Sequence, residues 1–427
     1  MYKKIITAVL AILASHSVFA STHDDTRKEF VVKLSVDNNI KSSQEMSTDL
    51  AFSAISGLAY AGSHYNLNDN VFYRLGLGYG TFMIALLNHE ISGHGLRSLE
   101  LKGKIKGVTI TPFSGSVKHS NPKPFHIQKE AVIQLGGNET NYLLSQKLAN
   151  NLVSHEQAID PVTGFGYIFS AGNQAFYTYM ASTKLRGHDL KSYSRRMEML
   201  YGNKSMSLKK IRNTGFLDFL DPVLLASIYS AVTGNDTEIP RIQLGEVGFT
   251  PFTRAILTPY GVIEKKIGSY IFTDYTPIRI GFSFGKQSKT PNPVILTLKE
   301  EAQFTRLQDR GLITDIYSAG VFAGLKDGEA VKRYSTYSVD VSIFKLFEIN
   351  NFKVGVDGVF WKQPDLFVRD AYRAKPKNGW MLMVNSSYKL KNDLDILIRA
   401  GYKTKGFVPG QHLNKTPVIG LGFEWKI

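Results

Sequence analysis

In the segment His89-Glu90-Ile91-Ser92-Gly93-His94-Gly95, two imidazoles bracket a carboxylate and a glycine. Neutral imidazoles are zinc ligands, and a carboxylate beside such an ion can take the proton of an activated water. The trio could hold Zn2+ through His89 and His94 and use Glu90 as general base. The spacing, H-E-x-x-x-H, constrains how. Helix positions four apart lie about 40° apart in azimuth and share a face, whereas positions five apart are roughly 140° apart. His89 and His94 can meet one ion only where the helix absorbs an extra residue, as a π-bulge does. Ser92-Gly93 is a suitable place for it, because glycine weakens a regular helix and tolerates unusual dihedrals.

A third ligand is required. The choice is Glu139, in Gly136-Gly137-Asn138-Glu139-Thr140-Asn141 at the start of an apolar helix, Tyr142–Leu148. A carboxylate on a second packed helix would complete a His2Glu set. The plainer reading of Glu139 is a first-turn acid favoured by the helix dipole. Glu130, His126, His155 and Glu156 stand in reserve and otherwise read as surface residues. Asn138 and Asn141 could orient a ligand or a substrate carbonyl, or cap a helix. No oxyanion donor stands out among Tyr142, Tyr177 and Asn138, and His64 and His119 have no partner that the sequence names.

The hexapeptide from His89 to His94 resembles the signature of the dipeptidyl-peptidase III family, whose zinc helix carries the same one-residue insertion. That resemblance implies zinc ligation by His89 and His94, with Glu90 as general base. It covers the hexapeptide alone, and the family's second motif, E-E-x-x-A-[DE], is not evident. A looser likeness is to intramembrane site-2-type proteases, whose H-E-x-x-H-[AG] helix precedes a glycine-rich β segment and a G-x-x-x-N helix start. Lys106–Ser116 is similar to that β segment, and Gly137-Asn138-Glu139-Thr140-Asn141 to that helix start. This chain departs from the pattern in its extra residue and its lack of long apolar helices.

The elements that must position these residues fall into two halves. Apolar runs at helical spacing occur at Leu50–Ala61, Tyr73–Asn88, Glu130–Val153, Ile168–Thr183 and Asp221–Val232, the last with an Asp-Pro start. The run before His89 is shorter than the roughly 20 residues a spanning helix needs, so these helices read as a packed globular domain. After about residue 245 the period becomes two. Ile278, Ile280, Phe282 and Phe284 alternate with small or polar residues, as do Tyr337, Val339, Val341 and Ile343. Similar alternation holds for Phe352 to Phe360, Leu394 to Tyr402 and Ile419 to Ile427. Connections alternate between tight (Asn350-Asn351, Lys391-Asn392) and long (Lys362–Asn378, Thr404–Thr416), as in outer-membrane barrels. Tyr337, Trp361, Trp380, Tyr388, Tyr402 and Trp425 fit interfacial girdles, and a final strand carrying Phe423 and Trp425 resembles the ending of such barrels. A soluble antiparallel sandwich also alternates. Phe30–Val36 reads as a strand that could join either half.

Residues 1–20 read as a secretory signal peptide: Lys3 and Lys4, an apolar core Ile5–Leu13, then Val18-Phe19-Ala20. The absence of cysteine excludes disulfides, thiolate ligands and a cysteine nucleophile. The net charge of +15 has basic stretches at Lys102–Lys106, Lys191–Arg196 and Lys204–Arg212, which suit anionic lipid head groups or a solvated face. Nucleic acid is a poor partner for an exported chain with no recognisable binding fold.

The expectation is an α+β protein: a signal peptide at 1–20, a helical zincin-like domain at 21–240, and an antiparallel β-barrel of about ten strands at 241–427. The function expected is a zinc-dependent peptidase of the bacterial outer membrane. Its N-terminal domain would lie in the periplasm and act on a peptide or protein substrate. The rivals are a non-enzymatic barrel serving transport or structure, and a soluble secreted peptidase with a β-sandwich.

Overall fold

The structure is a computed structural model describing residues 30–39, 41–120, 122, 126–172, 176–177, 188–201, 206–287, 334–368, 371 and 374–426. The expected signal peptide, Lys204 and most of 173–183 lie outside the described residues.

After strand β1 (Val31–Asp37) come helices α1 (Gln44–His64) and α2 (Val71–Leu87), a π-helix (Asn88–Gly95) and a short α3 (Leu96–Glu100). A hairpin, β2 (Ile105–Thr111) and β3 (Ser114–His119), leads to the long helix α4 (Ile127–Ser154). Helices α5 (Pro161–Ala171), α6 (Asp189–Tyr201), α7 (Leu208–Gly215) and α8 (Pro222–Thr233) follow. The remainder is strand: β4 (Ile242–Leu244), β5 (Val247–Leu257), β6 (Ile263–Phe272), β7 (Ile278–Lys286), β8 (Ser335–Ile349), β9 (Phe352–Pro364), β10 (Pro376–Lys391), β11 (Leu394–Lys403) and β12 (Thr416–Lys426).

Local chemistry sets the helix starts. Asn70 caps α2 by accepting from Phe72 N at 2.9 Å. Both α5 and α8 begin Asp-Pro. Asp160 accepts from Val162 N and Asp221 from Val223 N, and each proline occupies a first-turn position that needs no N–H. Gly234 ends α8 in the left-handed region (φ 86°).

The strands form one ten-stranded antiparallel sheet in the order β1-β12-β11-β10-β9-β8-β7-β6-β5-β4. From β4 to β12 it is a meander, with Val31–Asp37 added outside β12, Leu34 opposite Phe423. The antiparallel sheet is therefore present, but it is not closed into a barrel: β1 and β4 are its two edges. The reason lies at those edges. The outer edge of β1 is taken by α1, where Ser53 Oγ accepts from Lys33 N (2.7 Å) and donates to Lys33 O (2.8 Å). At the other end, β4 is a three-residue strand.

Alternation in this sheet is apolar outside and polar inside. Ile280, Phe282, Phe284, Val339, Leu382, Ile398, Leu421 and Phe423 are exposed, while Arg279, Ser283, Asp340, Ser342 and Lys403 of the same sheet are buried. Trp361, expected at an interface, is buried on the inner side, with Lys403 Nζ 5.4 Å from its ring centre. Helix α4 runs along this inner face. Gln128, near its start, donates to Pro259 O at 2.9 Å, and Asn150, near its end, accepts from Tyr270 OH at 3.1 Å. Polar contacts tie the layers together: Lys147 of α4 meets Glu45 and Asp49 of α1, and Lys266 of β6 meets Asp340 of β8 and Tyr142 of α4. A cavity of about 720 Å³ lies among them.

Candidate metal centre

The chain takes up the extra residue between the two histidines in the π-helix that follows α2, where Leu96 N reaches Ile91 O, five residues back. This winding brings the rings of His89 and His94 to 4.9 Å centre to centre, 75° between planes. Asn88 anchors the turn, donating through Nδ2 to Thr140 O (3.2 Å) and accepting from Thr48 Oγ1 (3.3 Å). The backbone of the π-helix crosses α4 at a glycine contact. A Cβ on Gly93 would fall 2.5 Å from Gly137 Cα, and a Cβ on Gly137 would fall 2.3 Å from His89 Nε2. Only glycine permits this approach.

Two hydrogen bonds orient the imidazoles. His94 Nδ1 donates to Ile133 O at 2.7 Å, which leaves the Nε2 lone pair free. That Nε2 is buried without a hydrogen-bond partner among the described residues. Asn141 Nδ2 is 3.0 Å from His89 Nδ1, while Asn141 Oδ1 is buried and unpartnered. With the amide turned over, His89 Nδ1–H would donate to Oδ1, leaving the Nε2 lone pair free as on a neutral His94.

The third group is Asp189, the first residue of α6. Its Oδ2 is 3.2 Å from His94 Nε2 and 3.8 Å from His89 Nε2. The donor atoms of His89, His94 and Asp189 all lie within 4.8 Å of one another. Tyr177 donates its hydroxyl to Asp189 Oδ2 at 2.9 Å, and its ring stacks on His188 at 4.2 Å. The Asp189 side chain is 26% exposed and the two histidines 6%, so solvent reaches the cluster from the aspartate side.

Glu90 is buried, and its side chain lies against Gly115 of β3. Burial raises its carboxyl pKa against the pull of His94 and His89. For His94, burial works downward, but Asp189, Glu90 and the Ile133 carbonyl together carry the imidazole up to about 9. Asp189 goes the other way: burial opposes ionisation, yet His94 and His89 hold it well below the usual carboxylate range. Burial also depresses His188, keeping it neutral more readily.

Glu139 is engaged elsewhere. It forms a two-pronged pair with Arg97, Oε1 to Nη2 at 2.6 Å and Oε2 to Nε at 2.7 Å, and accepts from Gly410 N at 3.4 Å. Gly137 and Asn141, four apart on α4, face the π-helix, whereas Glu139 lies about 200° round from Gly137. The reserve residues are likewise dispersed. Glu130 faces Arg196 at 3.8 Å, His126 caps α4, His155 ends it, and Glu156 pairs with Arg241 at 3.0 Å. Tyr142 accepts from Lys266 Nζ on the sheet side of α4. His64 stacks on Tyr60, and His119 sits on β3. Asn138 is buried, and neither of its side-chain polar atoms has a partner among the described residues. Asp189 escaped sequence reasoning because an aspartate at a helix start reads as a dipole-favoured cap, and nothing nearby ties it to His94.

The donor set fits a divalent ion of the zinc type: two imidazoles whose Nε2 atoms, in the neutral rings, converge on one ionised carboxylate oxygen. No protein-family model matches this chain, and no curated protein matches it.

Proposed function

We propose that the chain is a zinc-dependent peptidase of the bacterial outer membrane, its site formed by His89, His94 and Asp189 with Glu90 as general base. The observation that carries this is the convergence of three ligand atoms within 4.8 Å, beside a buried glutamate. A divalent ion held there would supply Lewis acidity and draw the pKa of water toward ~7. Glu90, its proton affinity raised by burial, would serve as the group that takes a proton from water at the site and returns it to the departing amine nitrogen. Asn141 and Ile133 O hold the two imidazoles in the ligating tautomer. Tyr177 orients Asp189.

The membrane half of the reading rests on the sheet, whose outward residues are apolar and whose inward residues are ion-paired, as in membrane strands. No single helix among the described residues is long and apolar enough to cross a membrane; one bent pair, Leu208–Leu220 with Pro222–Thr233, has the length and composition when taken together. The likeness to zinc peptidases is carried by the motif and its ligand geometry.

A second reading draws on the polar inner face. Lys266, Arg279 and Asp340 form an ion-paired lining beside a cavity of about 720 Å³, which would suit a non-enzymatic transport or scaffold protein. Purified full-length protein, loaded with zinc and given an unfolded protein substrate, separates the two. The enzyme reading expects Glu90→Gln to keep zinc and lose hydrolysis. Equal cleavage by parent and variant, or none by either with zinc bound, favours the scaffold.

A further inference from the structure

The open side of the sheet is bridged by helices. Helix α1 holds the outer edge of β1 through Ser53, and the turn before α8 holds β5 by Asp218 Oδ1 accepting from Ala255 N at 2.8 Å. Between these anchors α2 packs on α5, and α5 on α8. The three helices contain no acid and a single base, Arg74. That arginine is buried, donating to Asn68 O at 2.8 Å and Val232 O at 3.0 Å. Their outward surface is apolar: Phe72 is 81% exposed, and Tyr73, Leu75, Tyr229 and Val232 are exposed with it. An uncharged, aromatic-rich surface of this kind is a contact surface in waiting.

The β2–β3 hairpin lies along α2. Tyr79 OH donates to Pro112 O at 3.1 Å, the Tyr79 and Phe113 rings are 6.4 Å apart, and Phe113 at the tip is 83% exposed. Away from the tip the hairpin is basic: Lys102, Lys104, Lys106 and Lys118 are exposed, and residues 101–129 contain no Asp or Glu. A two-stranded hairpin with most side chains exposed is marginal in water alone. An apolar tip above a ring of lysines matches the depth profile of a bilayer with anionic head groups.

We infer that the outward face of α2 and the β2–β3 hairpin form a second lipid-contacting surface, with Phe113 at acyl-chain depth and the four lysines at anionic head groups. It rests on the membrane half of the proposed function and is independent of the metal. The outward apolar surface of the sheet is thus continued across its open side, and the hairpin that lies against Glu90 through Gly115 is tied to the membrane surface.

The absence of cysteine makes single-cysteine labelling clean. Phe113→Cys on the hairpin and Leu421→Cys on the outer face of the sheet would each carry an environment-sensitive fluorophore. The full-length protein would be placed in phosphatidylcholine vesicles with and without phosphatidylglycerol, some containing brominated lipid. The inference expects several-fold quenching by brominated lipid at both positions. It expects deeper burial of the Phe113 label with phosphatidylglycerol, and loss of that increment in Lys104→Glu/Lys106→Glu. Quenching at Leu421 alone overturns the inference and leaves the membrane-embedded sheet standing. Quenching at neither position overturns the membrane reading with it. A Phe113 label unquenched by lipid yet shifted by soluble polyglutamate overturns it in favour of an acidic-peptide surface.

Discussion

His89 and His94 face each other at 4.9 Å although they lie five positions apart, because the turn between them is wound as a π-helix against Gly137 of the crossing helix. The site therefore depends on two close packings, ring against ring and ring against a glycine backbone. Gly137→Ala places a methyl on the His89 ring and should lower zinc affinity more than tenfold while destabilising the fold by about 1–3 kcal/mol. Gly57→Ala on α1, where a Cβ meets nothing within 4 Å, should instead stabilise by about 0.5–1 kcal/mol. Chelator competition and thermal unfolding of both variants check the contrast.

Asn141 touches His89 and not the proposed ion. Its removal should weaken zinc binding by about 10–100-fold, the usual cost of losing a partner that orients a metal-bound histidine. Asn141→Asp, which keeps the oxygen, should recover most of the affinity. Equal loss in both variants would place the role of Asn141 in packing.

The metal-free protein should show a defined pH response from His94 and Asp189. The His94 pKa rises on folding from 6.5 to about 9, so its contribution is fully present below 6.5 and disappears as pH climbs through about 9. Asp189 is depressed on folding, so its contribution is present above 3.8 and disappears as pH falls. Melting temperature in chelator should therefore decline between pH 6.5 and 9 for the parent and decline less for Asp189→Asn. Zinc must displace the His94 proton, so zinc affinity should rise over the same interval.

Glu139 and Asp189 should separate cleanly. Glu139→Ala removes one carboxylate from a buried arginine and should cost roughly 3 kcal/mol of stability with zinc stoichiometry retained. Denaturant melts and metal content measured on the same preparation test this pairing.

How much was legible in the sequence follows from what each signal encodes. The need for a wider helical turn between His89 and His94 could be computed from residue spacing, and Ser92-Gly93 lies within the π-helix that supplies it. Alternation at Phe282, Leu421 and Phe423 marked strands, since a period of two is local. Sheet closure is not local. It depends on which edges meet, and nothing in Val31–Asp37 announces that Ser53 would occupy its outer edge. The same limit applies to the third member of the cluster at His89 and His94. Glu139 stood near the right glycines, but azimuth on α4 turns it toward Arg97, while Asp189 arrives from a helix far along the chain. Trp361 shows a smaller version, an aromatic near a strand end that faces inward to a buried lysine.

The most direct test of the central claim is the zinc content of purified full-length protein beside His94→Ala and Asp189→Asn, each confirmed folded by circular dichroism. The account predicts about one zinc per chain in the parent, with a loss of at least tenfold in affinity in either variant. Undiminished zinc in Asp189→Asn, or a folded, zinc-supplemented parent that holds none, would contradict it.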